Sequence, residues 1–265
     1  MGLCAVIWWS PSSSMATRTE RWRQSSLTVH ETSDQGVRRR MPLAFADRTL
    51  WGRLILEFGC VYAEFERLLQ LHSDDEHVAV VLPALLPAIR GDAFVADAKF
   101  FLGSDHNLVM LPATQEYVKW MQSLGSEDPK QLLVVAYTMI AALLAGGQII
   151  RSFQRTAMGL AADEGGSIFS FDGKGRSLLA EIKTKLDSLQ VSAQEEETFL
   201  STKGRIFSMN DRLIEGCFLA HPPPVLRTLL AALPRIVFSR YGAVASAVVA
   251  VIAASGVALL RSLSQ

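Results

Sequence analysis

Five histidines and one Gly-Gly-Gln triplet give this 265-residue chain its widest chemical scope. An imidazole can ligate a metal or carry a proton near neutral pH. His30 has neighbours at helical spacing: Arg23, Leu27 and His30 are four and three residues apart, so one helix face carries a cation, an apolar residue and an imidazole. His72, His77 and His106 stand among polar residues and read as solvated loop positions, while His221 precedes three prolines. Gly146-Gly147-Gln148 belongs to a different kind of segment. Residues 132–150 read LLVVAYTMIAALLAGGQII, without charge or proline. Glycines in such a helix remove the Cβ wall and let a flat group approach the backbone. The same stretch could instead form a small-residue packing patch through Ala141, Ala145 and Gly146. Phosphate-binding glycine loops, the GxSxG elbow and the HExxH motif are absent.

The elements that must position these residues carry helical period and almost no strand alternation. After Asp47, the residues Leu50, Leu54, Phe58, Val61, Phe65 and Leu68 fall three and four apart, which is one helix face. Asp128-Pro129 predicts a helix start ahead of the apolar run, with an acid at the cap and proline in the first turn. Ser192 and Glu195 predict a capping box before Phe199, Ile206, Leu213 and Ile214. Residues 159–175 and 103–107 read as weakly structured. The expectation is an all-α domain over 15–218, an unstructured extension over 1–14, a proline-containing linker over 219–240 and a transmembrane anchor over 241–260.

Composition supports that division. Mean hydropathy is +0.23 and 49% of residues are hydrophobic, which assigns part of the apolar mass to a membrane. Residues 241–260 are uncharged, follow Arg235 and Arg240, and leave only RSLSQ behind them, the pattern of a tail anchor with the bulk of the chain in the cytosol. Lys+Arg and Asp+Glu both number 26, and no basic stripe marks a nucleic-acid surface. Three widely separated cysteines fit a reducing compartment and exclude a disulfide framework.

Residues 136–148, AYTMIAALLAGGQ, resemble the distal-helix signature of heme oxygenases, AYxRYLGDLSGGQ, sharing Tyr137, Leu144, Gly146, Gly147 and Gln148. Leu27-Thr28-Val29-His30 resembles the family segment whose Val-His pair supplies the axial iron ligand. Tyr62 with Glu64 and Glu66, the stretch KTKLDSL at 183–189, and Phe207 with Asn210 follow in the family's order. The resemblance covers roughly residues 18–217, and a hydrophobic C-terminal tail is also a feature of animal heme oxygenases. It implies heme as substrate and cofactor, with His30 as metal ligand. It also implies Arg23, Tyr137 and Lys183 at the propionates, Phe207 and Asn210 at the heme, and Gly146 and Gly147 beneath the porphyrin. The implied reaction yields biliverdin, carbon monoxide and iron from oxygen and NADPH-derived electrons. Its implied partners are NADPH–cytochrome reductase and biliverdin reductase, on the cytosolic face of the endoplasmic reticulum.

The chain departs from that signature at telling positions. The distal aspartate that orders water is Leu143, the arginine is Met139, a glycine is Ala142 and the serine is Ala145. A lysine that guides heme orientation is Leu179. Leucine cannot hydrogen-bond, so the resemblance implies heme binding more directly than turnover, with slower or less regioselective ring opening. Two rival expectations follow: a catalytically silent heme-binding or heme-sensing relative, and a cofactor-free protein in which 132–150 crosses the membrane.

Overall fold

A computed structural model describes residues 17–25, 40–104, 109–171 and 174–223, and these form an all-helical arrangement without strands. The main helices are α1 (Arg18–Ser25), α2 (Arg48–Leu71), α3 (Glu76–Leu85), α4 (Gly91–Leu102), α5 (Pro112–Glu127), α6 (Gln131–Met158), α7 (Gly175–Ser188) and α8 (Ala193–Ala220). His30, His106, residues 1–14 and the expected anchor at 241–260 lie outside the described residues, as do the side chain of Arg23 and most of the expected linker.

Local chemistry sets the helix starts. Asp47 caps α2, its carboxylate accepting from the Thr49 and Leu50 amides at 2.9 and 3.2 Å. The apolar face read from the sequence is buried at Leu50, Leu54, Val61, Phe65 and Leu68. Asp75 caps α3 through the His77 and Val78 amides, which makes His77 a first-turn helical residue rather than a loop position. The capping box of Ser192 and Glu195 is present at the head of α8. Helix α6 begins at Gln131, later than Asp128-Pro129 suggests. Residues 129–130 form a tight turn whose carbonyls accept from Leu132 and Leu133, while the Asp128 carboxylate accepts from the Gln131 amide side chain at 3.1 Å.

The core gathers around α6, which packs against α2, α3, α5, α7 and α8. Every residue from 131 to 140 is buried, because protein helices enclose this half of α6 on all sides. The stretches Glu76–Leu102 and Gln131–Met158 are each long and apolar enough to cross a membrane, and for α6 this packing accounts for the apolarity. Beyond Ile140 the helix emerges: Ala142 is exposed and Ala141, Ala145 and Gly146 are half-buried.

The segment 159–171 is more ordered than its glycines and acids suggest. Gly159 ends α6 in the left-handed conformation (φ 64°), Leu160 folds back into the core, and Ser167–Phe169 form a 3-10 turn. Asp97 of α4, 1% exposed, accepts from the Ser167 and Ile168 amides at 3.0 Å each. Gln154 of α6 donates to the Gly165 carbonyl. A buried carboxylate holding two amides is a strong local constraint.

Two outcomes follow. Asp97→Ala orphans two amides and should cost about 2–3 kcal/mol in chemical denaturation, with new protease cleavage within 159–171. At α8, the Lys130 ammonium and the Ser192 amide and hydroxyl hold the Glu195 carboxyl down to about 2. A depressed carboxyl contributes stability above its ordinary range and loses it as pH falls through the folded value. Protection of the first-turn amides of α8, relative to their intrinsic exchange rates, should therefore fall as pH drops from about 4 toward 2. In Glu195→Gln it should be low and flat across that window.

Candidate functional site

The two glycines of α6 do different work. A Cβ built on Gly147 would meet Phe169 Cδ1 at 2.7 Å, inside contact distance, so this glycine exists to let the 3-10 turn lie against α6. Gln148 Nε2 holds the same turn by donating to the Phe169 carbonyl at 2.6 Å. A Cβ on Gly146 would meet nothing within 4 Å. Among the described residues Gly146 thus leaves the α6 backbone open to a ligand, while the Gly147 position is covered by Phe169. With exposed Ala142 one turn earlier, Gly146 gives α6 a bare, apolar face.

Two turns before Gly146, three helices converge on Met139 of α6. Tyr62 of α2 donates its buried hydroxyl to the Met139 carbonyl at 2.7 Å, and burial pushes this phenol well above its ordinary range, so it stays a donor. Tyr117 of α5 and Asn210 of α8 donate to the Met139 sulfur at 3.8 and 3.6 Å. The carbonyl oxygen of Asn210 is buried and has no donor among the described residues. Leu143, one turn on from Met139, is 8% exposed and adds only hydrocarbon. The site therefore has neutral donors on a thioether and neither the acid nor the arginine of the signature it resembles.

A second cluster lies where α1 meets α7 and α8. Arg18 donates to the Leu186 and Leu189 carbonyls, and Thr19 donates its amide and hydroxyl to Asp187, fastening α1 to the end of α7. Trp22 then packs between Tyr137 and Phe199, with ring centroids 5.7 and 5.5 Å away. Lys203 of α8, 7% exposed, donates to the Trp22 carbonyl at 2.6 Å. Burial and the neighbouring Lys183 charge lower its ammonium to about 8. Of the expected site residues, Tyr137 is thus buried against α1, Lys183 is half-buried beside Lys203, and Phe207 and Asn210 are half-buried on α8. Sequence reading missed Lys203, Trp22 and Tyr117. The spacing of Phe199, Lys203 and Ile206 already placed Lys203 on the buried face of α8.

A separate cleft of about 620 Å³ is lined by Gln148, Arg151, Arg155, Leu160 and neighbours. At about 100° per residue these α6 positions point away from Gly146, so the cleft is not continuous with the bare face. A flat, largely apolar group carrying peripheral carboxylates fits the residues present. On α6 Gly146 offers the close approach and Leu143 an apolar wall, and where α1 meets α7 and α8 the Lys183–Lys203 pair offers cations.

The sequence model of the family described as heme oxygenase matches residues 16–216. The chain belongs to the heme oxygenase family. It is 25% identical over 173 residues to a heme oxygenase of Porphyra purpurea, covering 64% of this chain and 72% of that one. To the heme oxygenase of Takifugu rubripes it is 26% identical over 160 residues, 58% of this chain and 57% of the relative. Its fold matches heme oxygenase 2 from Chlamydomonas reinhardtii, solved without heme, at a TM-score of 0.72 and 26% identity, covering 78% of this chain and 99% of that one. The heme oxygenase-2 of Synechocystis, solved with heme and NO, matches in fold at 0.70 with 20% identity, covering 76% and 85%.

The division of labour between the glycines is testable. Gly147→Leu should lower stability by about 1–3 kcal/mol through overpacking against Phe169. Gly146→Leu should leave the thermal midpoint at or slightly above wild type, since leucine favours helix over glycine, while abolishing the Soret band that hemin acquires on binding. Equal stability losses in the two variants would contradict the assignment.

Proposed function

We propose that this protein is a membrane-anchored heme oxygenase that cleaves heme to biliverdin, carbon monoxide and ferrous iron. Oxygen and electrons from NADPH, delivered by a cytochrome reductase, drive the reaction, and biliverdin reductase is a downstream partner. The observation that supports it most is the open backbone of α6 at Gly146, where no described residue lies within 4 Å of a built Cβ. Residues 241–260 anchor the protein at the endoplasmic reticulum with the helical domain on the cytosolic side.

Bound heme supplies the iron at which oxygen is reduced and the ring that is opened. The chain's own residues set the conditions. His30 would hold the iron, and Arg23, Lys183 and Tyr137 would hold the propionates by charge-assisted and hydroxyl bonds. Gly146 admits the macrocycle, and Leu143 and Ala142 exclude water where a distal acid would order it. Tyr62 pins the α6 backbone at the Met139 carbonyl, and the Met139 thioether takes up the Tyr117 and Asn210 donors. Oxygen is thus steered by shape rather than by a positioned acid. With Leu179 in place of an orienting lysine, ring opening is slow and loosely regioselective.

Leu143 and Met139 favour a second reading, a catalytically silent relative that stores or senses heme. One series separates the two. The full chain reconstituted with hemin should show a Soret band that His30→Ala loses. Adding reductase and NADPH should bleach it and produce biliverdin absorption, and Leu143→Asp should speed bleaching roughly 100-fold, the low end of what one positioned acid supplies. A wild type that stays unbleached while Leu143→Asp turns over identifies the silent relative. A wild type with no Soret band removes both.

A further inference from the structure

Buried charges among the described residues are answered, with one exception. Arg18 meets two carbonyls and lies near Glu196 and Asp187, and Arg40 reaches Glu215 at 3.8 Å. Glu66 accepts from the Arg90 and Gly91 amides, Glu57 from the Leu111 amide, and Asp97 from two amides. Lys203 has no carboxylate among the described residues. One of its three N–H groups reaches the Trp22 carbonyl, and the one charge acting on it is the like charge of Lys183. Lys183 itself has no acidic partner among the described residues. Enclosing an ammonium beside a second cation is costly unless an anion completes the group.

The position of Lys203 identifies the anion. Lys203, Phe207 and Asn210 are four and three residues apart on one face of α8, and Asn210 reaches Met139 of α6 at 3.6 Å. The same lysine sits under Trp22, whose ring contacts Tyr137. We propose that Lys203 is an inner propionate-positioning residue: with Lys183 it receives one carboxylate of heme and so fixes how far the macrocycle slides along α8. The inference rests on the heme-binding reading above. The carboxylate supplies the missing counter-charge, and the Trp22 carbonyl holds the ammonium in place beforehand, so little side-chain freedom is lost on binding. Burial pushes this ammonium down to about 8, and the opposite charge of an arriving carboxylate offsets that push.

The test uses the full chain and two probes, hemin and hemin dimethyl ester, which lacks the propionate charges. Soret titrations give an affinity for each. Wild type should prefer hemin, and Lys203→Met should lose roughly 10-fold or more in hemin affinity with ester affinity unchanged. Lys203→Gln retains a donor for the Trp22 carbonyl and removes only the charge, so it should lose hemin preference to the same extent. Parallel losses for both probes, or full hemin preference in Lys203→Gln, would overturn the proposal by assigning Lys203 to the α1–α8 contact alone. A wild type that binds neither probe defeats the heme reading itself, a result distinct from either.

Discussion

The contact of Gly147 with Phe169 sets the geometry on which the site depends. With any side chain at position 147, the 3-10 turn of Ser167–Phe169 could not approach α6. The Gln148 bond to that turn would then be lost, along with the seating of residues 159–171 that Asp97 secures. Because Gly147 turns one side of α6 into the fold, its neighbour Gly146 faces outward, and the helix is bare there. The open backbone is a consequence of packing behind it. A helix enclosed on all sides from 131 to 140 and covered only on one side beyond is a rigid support with a local gap, which suits a flat ligand better than a flexible cleft would.

Around that gap the chemistry is muted. The polar groups that reach Met139 of α6 are two phenols and one carboxamide, and they converge on its backbone oxygen and sulfur. Such bonds fix positions with modest energies, since sulfur is a weak acceptor. Leu143 adds no donor or acceptor. The result is an active-site wall that shapes and dries the space while doing little to steer protons. This is the physical content behind an expectation of slow and loosely directed turnover.

Much of the scaffold was legible in the sequence because its signals are local. The Asp47 cap, the apolar period from Leu50 to Leu68, and the Ser192–Glu195 box all depend on residues within a few positions of one another. The features that misled depend on distant partners. Residues 159–171 read as loose because the carboxylate that orders them, Asp97, is about seventy positions away. The two glycines read alike because only tertiary packing distinguishes the one beneath Phe169 from the one facing open space. Lys203 carried no signal of its own in the sequence, although Phe199 and Ile206 at its spacing placed it on the buried face. The distal-helix signature was legible in its glycines and tyrosine, and the family match over residues 16–216 agrees with it.

The central claim is that heme lies on the bare face of α6 at Gly146. A crystal structure of the hemin-loaded protein tests it most directly. The account predicts the macrocycle in van der Waals contact with the Gly146 backbone, iron bound by His30 on the opposite side, and one propionate between Lys183 and Lys203. A macrocycle seated in the cleft of Arg151 and Arg155, or bound with Gly146 exposed to solvent, would contradict it.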